Sequence, residues 1–571
     1  MKVSSIITSA GLLGAAYAQS TESPVLATNG TVLAVFVYHN NCERTSLWLP
    51  DGTQGGQFGM PGAYQCFNDG VFYFNKYLRE ASDLKIYGTS QIYNADYVDA
   101  ETPDVSISSQ SAMAFLQGIF PPVDLVSTVT SSDGESLLDA DNSTFMNGPL
   151  QGYQYAPVVT YRSSDPQSIW IAGNLQQCDN QKNSMNLYFG SDDYRAVFQE
   201  AQPFYNSLYE EYFKGVFDLN LMVFFNAYVL YDYVYQNRLA GNETLLKMSD
   251  EDFQQLRVYA NHLEFNMYAN TTTSADPNWK QADPTQNLRE MGGRLLAGKI
   301  ARTFRDTLAS GGWQNKLNVI VGNFDLMLSW FSLANLPSRS QDFYGLPDLG
   351  ASMVFELYTD DPTLSVDGKI DPESIKVAFG FRNGTSTNDT LTYWPLFNDQ
   401  PQGDPVSMVL NNFLTHLDSI AIDNVGQWCS LCNSQEVAFC STAAASPNGA
   451  PTPSPSSSNS QAVSSGSHGM SPAVGGVIGA IIALAIVGIV IAVGVCCFGF
   501  GVTRGRRRSS ALGSFSLRQP KEKVTSDIEL PLSPTAAPMA GYPDEQEFEY
   551  NTVSTVVASP LASPEEAHFK N

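Results

Sequence analysis

Val35-Phe36-Val37-Tyr38-His39-Asn40-Asn41-Cys42-Glu43-Arg44-Thr45 decides how this chain is read. Leu33 to Val37 is a run of β-forming residues, apolar at every position, as expected of a strand buried on both faces of an α/β sheet. The run ends in a polar turn that presents one histidine and one arginine. In open α/β folds, ligands bind outside the carboxyl ends of the strands. His39 and Arg44 are therefore the first candidate site residues.

Working outward, Pro61 to Leu78 places Gly62, Tyr64, Gln65, Gly70, Phe72 and Tyr77 in a helical pattern, and predicts a helix facing the core. A strand over Gln91 to Tyr97 and a helix over Ser106 to Pro122 follow. The region from about Asp192 to Ser310 reads as helical and aromatic-rich, a helical insertion spanning about 130–310. Within it, Asp218 to Val234 is apolar on nearly every side, which predicts a buried helix. Ser249 is a suitable N-cap for a helix over Phe253 to Tyr268, and Gly311-Gly312 stops one over Leu288 to Leu308. The sheet then resumes at Leu317 to Val321 and Ala351 to Tyr358. A hairpin-like pair follows, Ile375 to Phe381 with Thr390 to Tyr393, joined through Asn383-Gly384. Just after the Leu317 strand, Asp325 opens an apolar helix and is either its cap or an acid at the strand end.

The ends of the chain predict its topology. Met1 to Ala18 reads as a secretory signal, with Lys2, an apolar stretch and Ala16-Tyr17-Ala18. Ala473 to Thr503 carries no charge, is long enough to cross a bilayer, and is followed at once by Arg504, Arg506, Arg507 and Arg508. The expectation is a single-pass type I protein of the plasma membrane with residues 19–440 outside. A Ser/Pro-rich stalk follows over 441–472, and a polar cytoplasmic tail closes the chain from Arg504 to Asn571. Sequons at Asn29, Asn142, Asn242, Asn270, Asn383 and Asn388 all precede the apolar run and predict a glycoprotein. The tail holds 8 Lys+Arg and 9 Asp+Glu, so about −25 of the net −26 lies before it. Such a surface excludes nucleic acid as a partner.

Cys42, Cys66, Cys178, Cys429, Cys432 and Cys440 form an even set in an oxidising compartment, so up to three disulfides are expected. Sequence leaves about fifteen pairings open. Cys429-x-x-Cys432 is half of a zinc spacing, but no second pair accompanies it. Cys496 and Cys497 are either palmitoylation sites at the membrane edge or simple members of the apolar run.

With these elements in place, the chain resembles the histidine acid phosphatases, a clade of the histidine phosphatase superfamily, over roughly residues 30–440. Their R-H-G-x-R-T-P motif is similar to Tyr38-His39-Asn40-Asn41-Cys42-Glu43-Arg44-Thr45. Met60-Pro61-Gly62-Ala63-Tyr64-Gln65 resembles the following L-T-x-x-G-x-x-Q. Ser111-Ala112-Met113-Ala114-Phe115-Leu116-Gln117-Gly118-Ile119-Phe120-Pro121-Pro122 is similar to S-A-x-A-F-x-x-G-L-x-P-P. Leu333 to Pro337, Met353 to Leu357, Phe381 to Thr385 and Trp428 to Cys432 with Cys440 extend the likeness. The resemblance implies an α/β fold, with a three-layer α/β/α phosphoglycerate mutase-like core and a mostly helical inserted domain. It also implies a phosphohistidine mechanism without metal or other cofactor, His39 being the nucleophile, Arg44 a phosphate clamp and Asp325 the acid.

The same alignment is depleted of charge. Tyr38 stands where the first arginine belongs and Ile107 where the third belongs; Gly322-Asn323-Phe324-Asp325 lacks the histidine of the H-D pair. No His-Asp dipeptide occurs, since Leu263 follows His262 and Leu417 follows His416. Losing one preorganised donor to a developing anion costs about 3–4 kcal/mol. Two functions are therefore in play: a weakly active or inactive binding and sensing protein of the cell surface, and an acid phosphomonoesterase. The expected partner is a phosphorylated small molecule or a cell-wall component.

Overall fold

Thr31–Asn40 forms β1, and every residue from Val32 to Asn40 is buried. The computed structural model describes residues 30–49, 55–122, 149–172, 177–269, 286–360, 372–386, 390–397, 406–434 and 437–443. The signal, the charge-free run with Cys496 and Cys497, the tail, the stalk beyond Ala443 and the sequons at Asn29, Asn142, Asn270 and Asn388 lie outside them. No helix among the described residues is long and apolar enough to cross a membrane.

The fold is mixed α/β with one central sheet. Its strands are β1, β2 (Val98–Pro103), β3 (Val159–Tyr161), β4 (Leu317–Gly322), β5 (Ser352–Thr359), β6 (Ile375–Arg382), β7 (Thr392–Trp394) and β8 (Ser407–Val409). Their order is β3-β2-β4-β1-β5-β6-β7, with β8 also paired to β6. β1 runs parallel to β4 and antiparallel to β5. The carboxyl ends of β1, β4 and β6 thus meet at one edge, with Asn40 beside Gly322 and His39 beside Ser352, itself beside Arg382.

One face of the sheet carries helices α1 (Met60–Tyr77) and α2 (Ser106–Ile119). They cross at a glycine pair: a Cβ on Gly70 would stand 2.1 Å from the Phe115 carbonyl oxygen, and one on Gly118 2.0 Å from that of Phe67. Only glycine allows backbones this close. After the short helices α3 (Pro149–Gly152) and α4 (Ile169–Ala172) come α5 (Asp179–Phe189), α6 (Asp192–Leu208), α7 (Ala227–Leu239), α8 (Asp250–Tyr268) and α9 (Met291–Ala309). These, with α10 (Asp325–Leu333) and α11 (Leu410–Ile420), share a large aromatic core with the opposite face of β1.

Two local expectations are corrected. Gln91 to Tyr97 is a set of turns, because the Asn94 side chain accepts from Asp96 N at 2.9 Å and Tyr97 N bonds back to Asn94 O; the strand begins only at Val98. The helix expected from Asp218 starts nine residues later at Ala227. Ahead of it stand two short 3-10 turns, where the Asn226 side chain donates to Leu221 O at 2.8 Å. Such side-chain bonds to backbone compete with helix. Ser249 caps α8 by accepting from Asp252 N, whereas at α10 Phe324 occupies the cap position and Asp325 is the first helical residue. The cysteines pair as Cys42–Cys66, Cys178–Cys432 and Cys429–Cys440.

Candidate functional site

Successive residues of a strand point to opposite faces of the sheet. In β1 that rule sends Val35, Val37 and His39 toward α1 and α2, and Phe36 and Tyr38 toward the helical block. The two neighbours at the end of β1 therefore stand in different surroundings.

On the α1 face His39 is wholly buried, its ring 4.3 Å from that of Phe115. Its Nε2 meets Asp69 Oδ2 at 2.6 Å. Asp69 lies on the buried side of α1, a turn beyond Cys66. The other oxygen of Asp69 accepts from Arg382 Nη1, and Arg382 also packs its guanidinium 4.4 Å from the Phe72 ring centre and donates to Ser386 O. Register explains the convergence, because Arg382, Ser352 and His39 lie side by side across β6, β5 and β1. Burial lowers the imidazole from its usual range to about 3; its own segment's backbone at Asn40 opposes the shift and the Arg382 charge adds to it. His39 is thus neutral, with Nε2–H donating to a carboxylate already ion-paired. Its Nδ1 makes no well-formed hydrogen bond.

The polar seam continues under α1. Tyr73 pairs with Ser352, and Glu356 accepts from Tyr77 and, at 2.6 Å, from Tyr393, with Lys76 Nζ at 3.8 Å. Polar groups buried this deeply are tolerated because most of them pair, Glu356 Oε2 being left without a partner among the described residues.

On the other face, the Tyr38 hydroxyl donates to Asn323 O at 2.7 Å. Gly322 makes this possible, since a Cβ there would lie 2.5 Å from that hydroxyl. Phe324 packs against Tyr228 and Tyr268. Next to it the Asp325 carboxylate is fully buried, with neither oxygen in a well-formed hydrogen bond. Burial pushes it up to about 7; its own backbone amide and the Asn323 side chain pull weakly the other way. Glu264 of α8 is also buried and rises to about 8, again chiefly by burial, with the Asp325 charge second. Both carboxyls therefore titrate near neutral pH and hold their protons below it.

Arg44 belongs to this second side. Its Nη2 lies 2.9 Å from Asp232 Oδ1 and 3.3 Å from the Tyr228 hydroxyl, and Nη1 donates to Asp232 Oδ2 and to Thr45 O. Burial works against its charge, but Asp232 and Tyr228 outweigh that and hold its pKa above the usual value. A third arginine at this edge, Arg257, reaches Asp348 at 2.6 Å, and Asp348 O accepts from the Asn40 side chain. Each of these three arginines already has a carboxylate.

Of the residues singled out by sequence, Arg44 and Asp325 gather around Tyr228 and Phe324, while His39 points through the opposite face. Asn242 and Asn383 are partly exposed, and the Asn383 side-chain oxygen accepts from Asp348 N. Sequence reading missed Asp69, Arg382, Asp232 and Glu264. A signal for Asp69 existed: it sits in line with Gly62, Cys66, Gly70, Tyr73 and Tyr77 on the apolar stripe of α1, where a carboxylate demands a partner.

No protein-family model and no curated protein matches the chain. Among solved structures it is similar to the phytase of Klebsiella sp. ASR1, at 11% identity and TM-score 0.44, over 69% of this chain and 96% of that one. It is also similar to the Hafnia alvei phytase, at 11% identity and TM-score 0.45, over 72% and 99%. The Bifidobacterium longum multiple inositol polyphosphate phosphatase aligns at 10% identity and TM-score 0.37, over 71% and 96%.

Proposed function

We propose that residues 30–440 form a histidine acid phosphatase-like ectodomain, carried on the cell surface by a single span, that binds or senses rather than hydrolyses. One observation carries this reading: His39 is buried and neutral, with Nε2 occupied by Asp69, which Arg382 already neutralises. A nucleophile must reach its substrate with a free lone pair, and in His39 Nε2 is taken by Asp69 while Nδ1 is shut off from solvent. The paired arginines support the same view, because a phosphate would have to displace Asp232 or Asp348 from its guanidinium. Of the two ligand classes raised by the sequence, this favours an uncharged cell-wall component over a phosphorylated small molecule.

The protonated carboxyl of Asp325 supports the competing reading, an acid phosphomonoesterase in which it supplies the leaving-group proton. The two are separated by assaying the purified full-length chain with a generic phosphomonoester between about pH 3 and 7, beside His39→Ala. The expected result is no turnover above the variant's background. Turnover that His39→Ala abolishes, in a variant of unchanged circular dichroism, would establish the enzyme instead.

A further inference from the structure

His39 has a second set of neighbours. One of its ring nitrogens and the sulfurs of Cys42 and Cys66 all lie within 4.8 Å of one another, and all three residues are buried. Nε2 is engaged by Asp69, so the nitrogen left to give a lone pair is Nδ1, a buried atom in no well-formed hydrogen bond. Two cysteines and one imidazole are the donor set of a soft, borderline divalent cation. The carboxylate on the far side of the ring matches the way metal-bound histidines are oriented in general, since it fixes the tautomer that leaves the other nitrogen free. Asp69 is in turn fixed by Arg382.

In the oxidised chain the sulfurs are joined, and a disulfide is not a ligand for such an ion. We propose that the reduced form of Cys42 and Cys66, with His39 Nδ1, is a tetrahedral site for Zn²⁺ or a similar cation, so that this locus exists either as a disulfide or as a metal centre. An external dithiol supplies two electrons and two protons to open the S–S bond and is itself closed to a cyclic disulfide. The two thiols then release their protons to solvent as the cation binds two thiolates. A zinc shell places its sulfur and nitrogen ligands about 3.5–4 Å apart. The histidine therefore moves in slightly and the sulfurs spread, with water at the fourth position. The backbone favours a confined site: Cys42 N is held by the Ser111 hydroxyl at 3.2 Å, and Cys66 lies in the first turns of α1. This inference stands apart from the question of turnover, because it concerns a state in which His39 is a ligand whatever the oxidised chain does.

The test uses the full-length chain, reduced and then freed of dithiol without air. Two readouts are taken. With Co²⁺, thiolate-to-cobalt absorption and the intense visible bands of a four-coordinate ion are expected. They should be largely lost in Cys66→Ser, which keeps Cys178, Cys429, Cys432 and Cys440. With Zn²⁺, mass spectrometry of alkylated wild-type protein should show Cys42 and Cys66 protected on the order of tenfold or more, and the other six thiols unaffected. His39→Gln keeps a donor toward Asp69 but no ring nitrogen; it is expected to form the disulfide normally and to lose most of the protection. Alkylation of Cys42 and Cys66 that ignores Zn²⁺ overturns the proposal. So does cobalt absorption that survives Cys66→Ser, or a loss of near-ultraviolet dichroism on reduction that Zn²⁺ fails to reverse.

Discussion

Tyr38 and His39 are adjacent in sequence, equally buried, and separated by the thickness of one sheet. On the His39 side a negative charge, Asp69, is matched by a positive one, Arg382, with a neutral ring hydrogen-bonded between α1 and the strand. On the Tyr38 side, Asp325 and Glu264 make no ion pair among the described residues, and Arg44 is committed to Asp232. The first side solves the cost of burial by pairing charges, the second by keeping protons on its carboxyls. The contrast predicts that the two sides answer differently to mutation and to pH, depending on what faces each buried group.

The sharpest way to break this contrast is to remove one arginine from each side. Arg382→Met leaves Asp69 charged, buried and held only by His39, and is expected to cost about 3–5 kcal/mol in denaturant unfolding. Arg44→Met should cost less, about 2 kcal/mol, because Asp232 keeps its bonds from Leu47 N at 2.8 Å and from Gln236. Equal losses would mean that the two sides are not differently wired.

The pH dependence sharpens it further. Asp325 and Glu264 have folded values raised to about 7 and about 8, against ordinary carboxylates that ionise near 4 when unfolded. Between those limits the folded chain binds more protons than the unfolded one. Their contribution is therefore fully present below about pH 4 and is lost as pH rises through 7 and 8. His39 works the other way: lowered to about 3, it leaves the unfolded chain holding the extra proton below about 6.5, so its contribution falls as pH drops toward 3. Each group bends the stability curve by up to about 1.4 kcal/mol per pH unit. Asp325→Asn is expected to flatten the loss between pH 5 and 8, and His39→Gln the loss on the acid side, in denaturation series at fixed ionic strength. A variant that flattened the opposite limb would refute the assignment of sides. The smallest effect sets the baseline: the exposed Arg305–Asp418 pair, at 2.7 Å, should change stability by no more than about 0.5 kcal/mol in Arg305→Ala.

Much of the fold was legible because its signals are local. The apolar run before His39, the stripe of α1, the Ser249 cap and the short strand before Gly322 each sit within one element, and their boundaries in the structure move by only a few residues. Local chemistry also explains the failures. Asn94 and Asn226 divert their own backbones into turns, a competition that hydrophobic periodicity does not register.

The candidate site was legible only in part. Sequence by itself determined that a histidine ends the first strand, that a tyrosine precedes it at position 38, and that Arg44 and Asp325 lie near strand ends. It could not determine what these residues touch. Asp69 lies 30 residues from His39, Arg382 a further 313 from Asp69, and Asp232 188 from Arg44. Such partners are chosen by strand register and by which face of the sheet a side chain enters, and both are settled only when β1, β4, β5 and β6 align. The tertiary structure thus decided that His39 looks into α1, toward a carboxylate and a disulfide, while Tyr38 looks into the acidic side. A strand's twofold alternation separates neighbours that its sequence writes side by side.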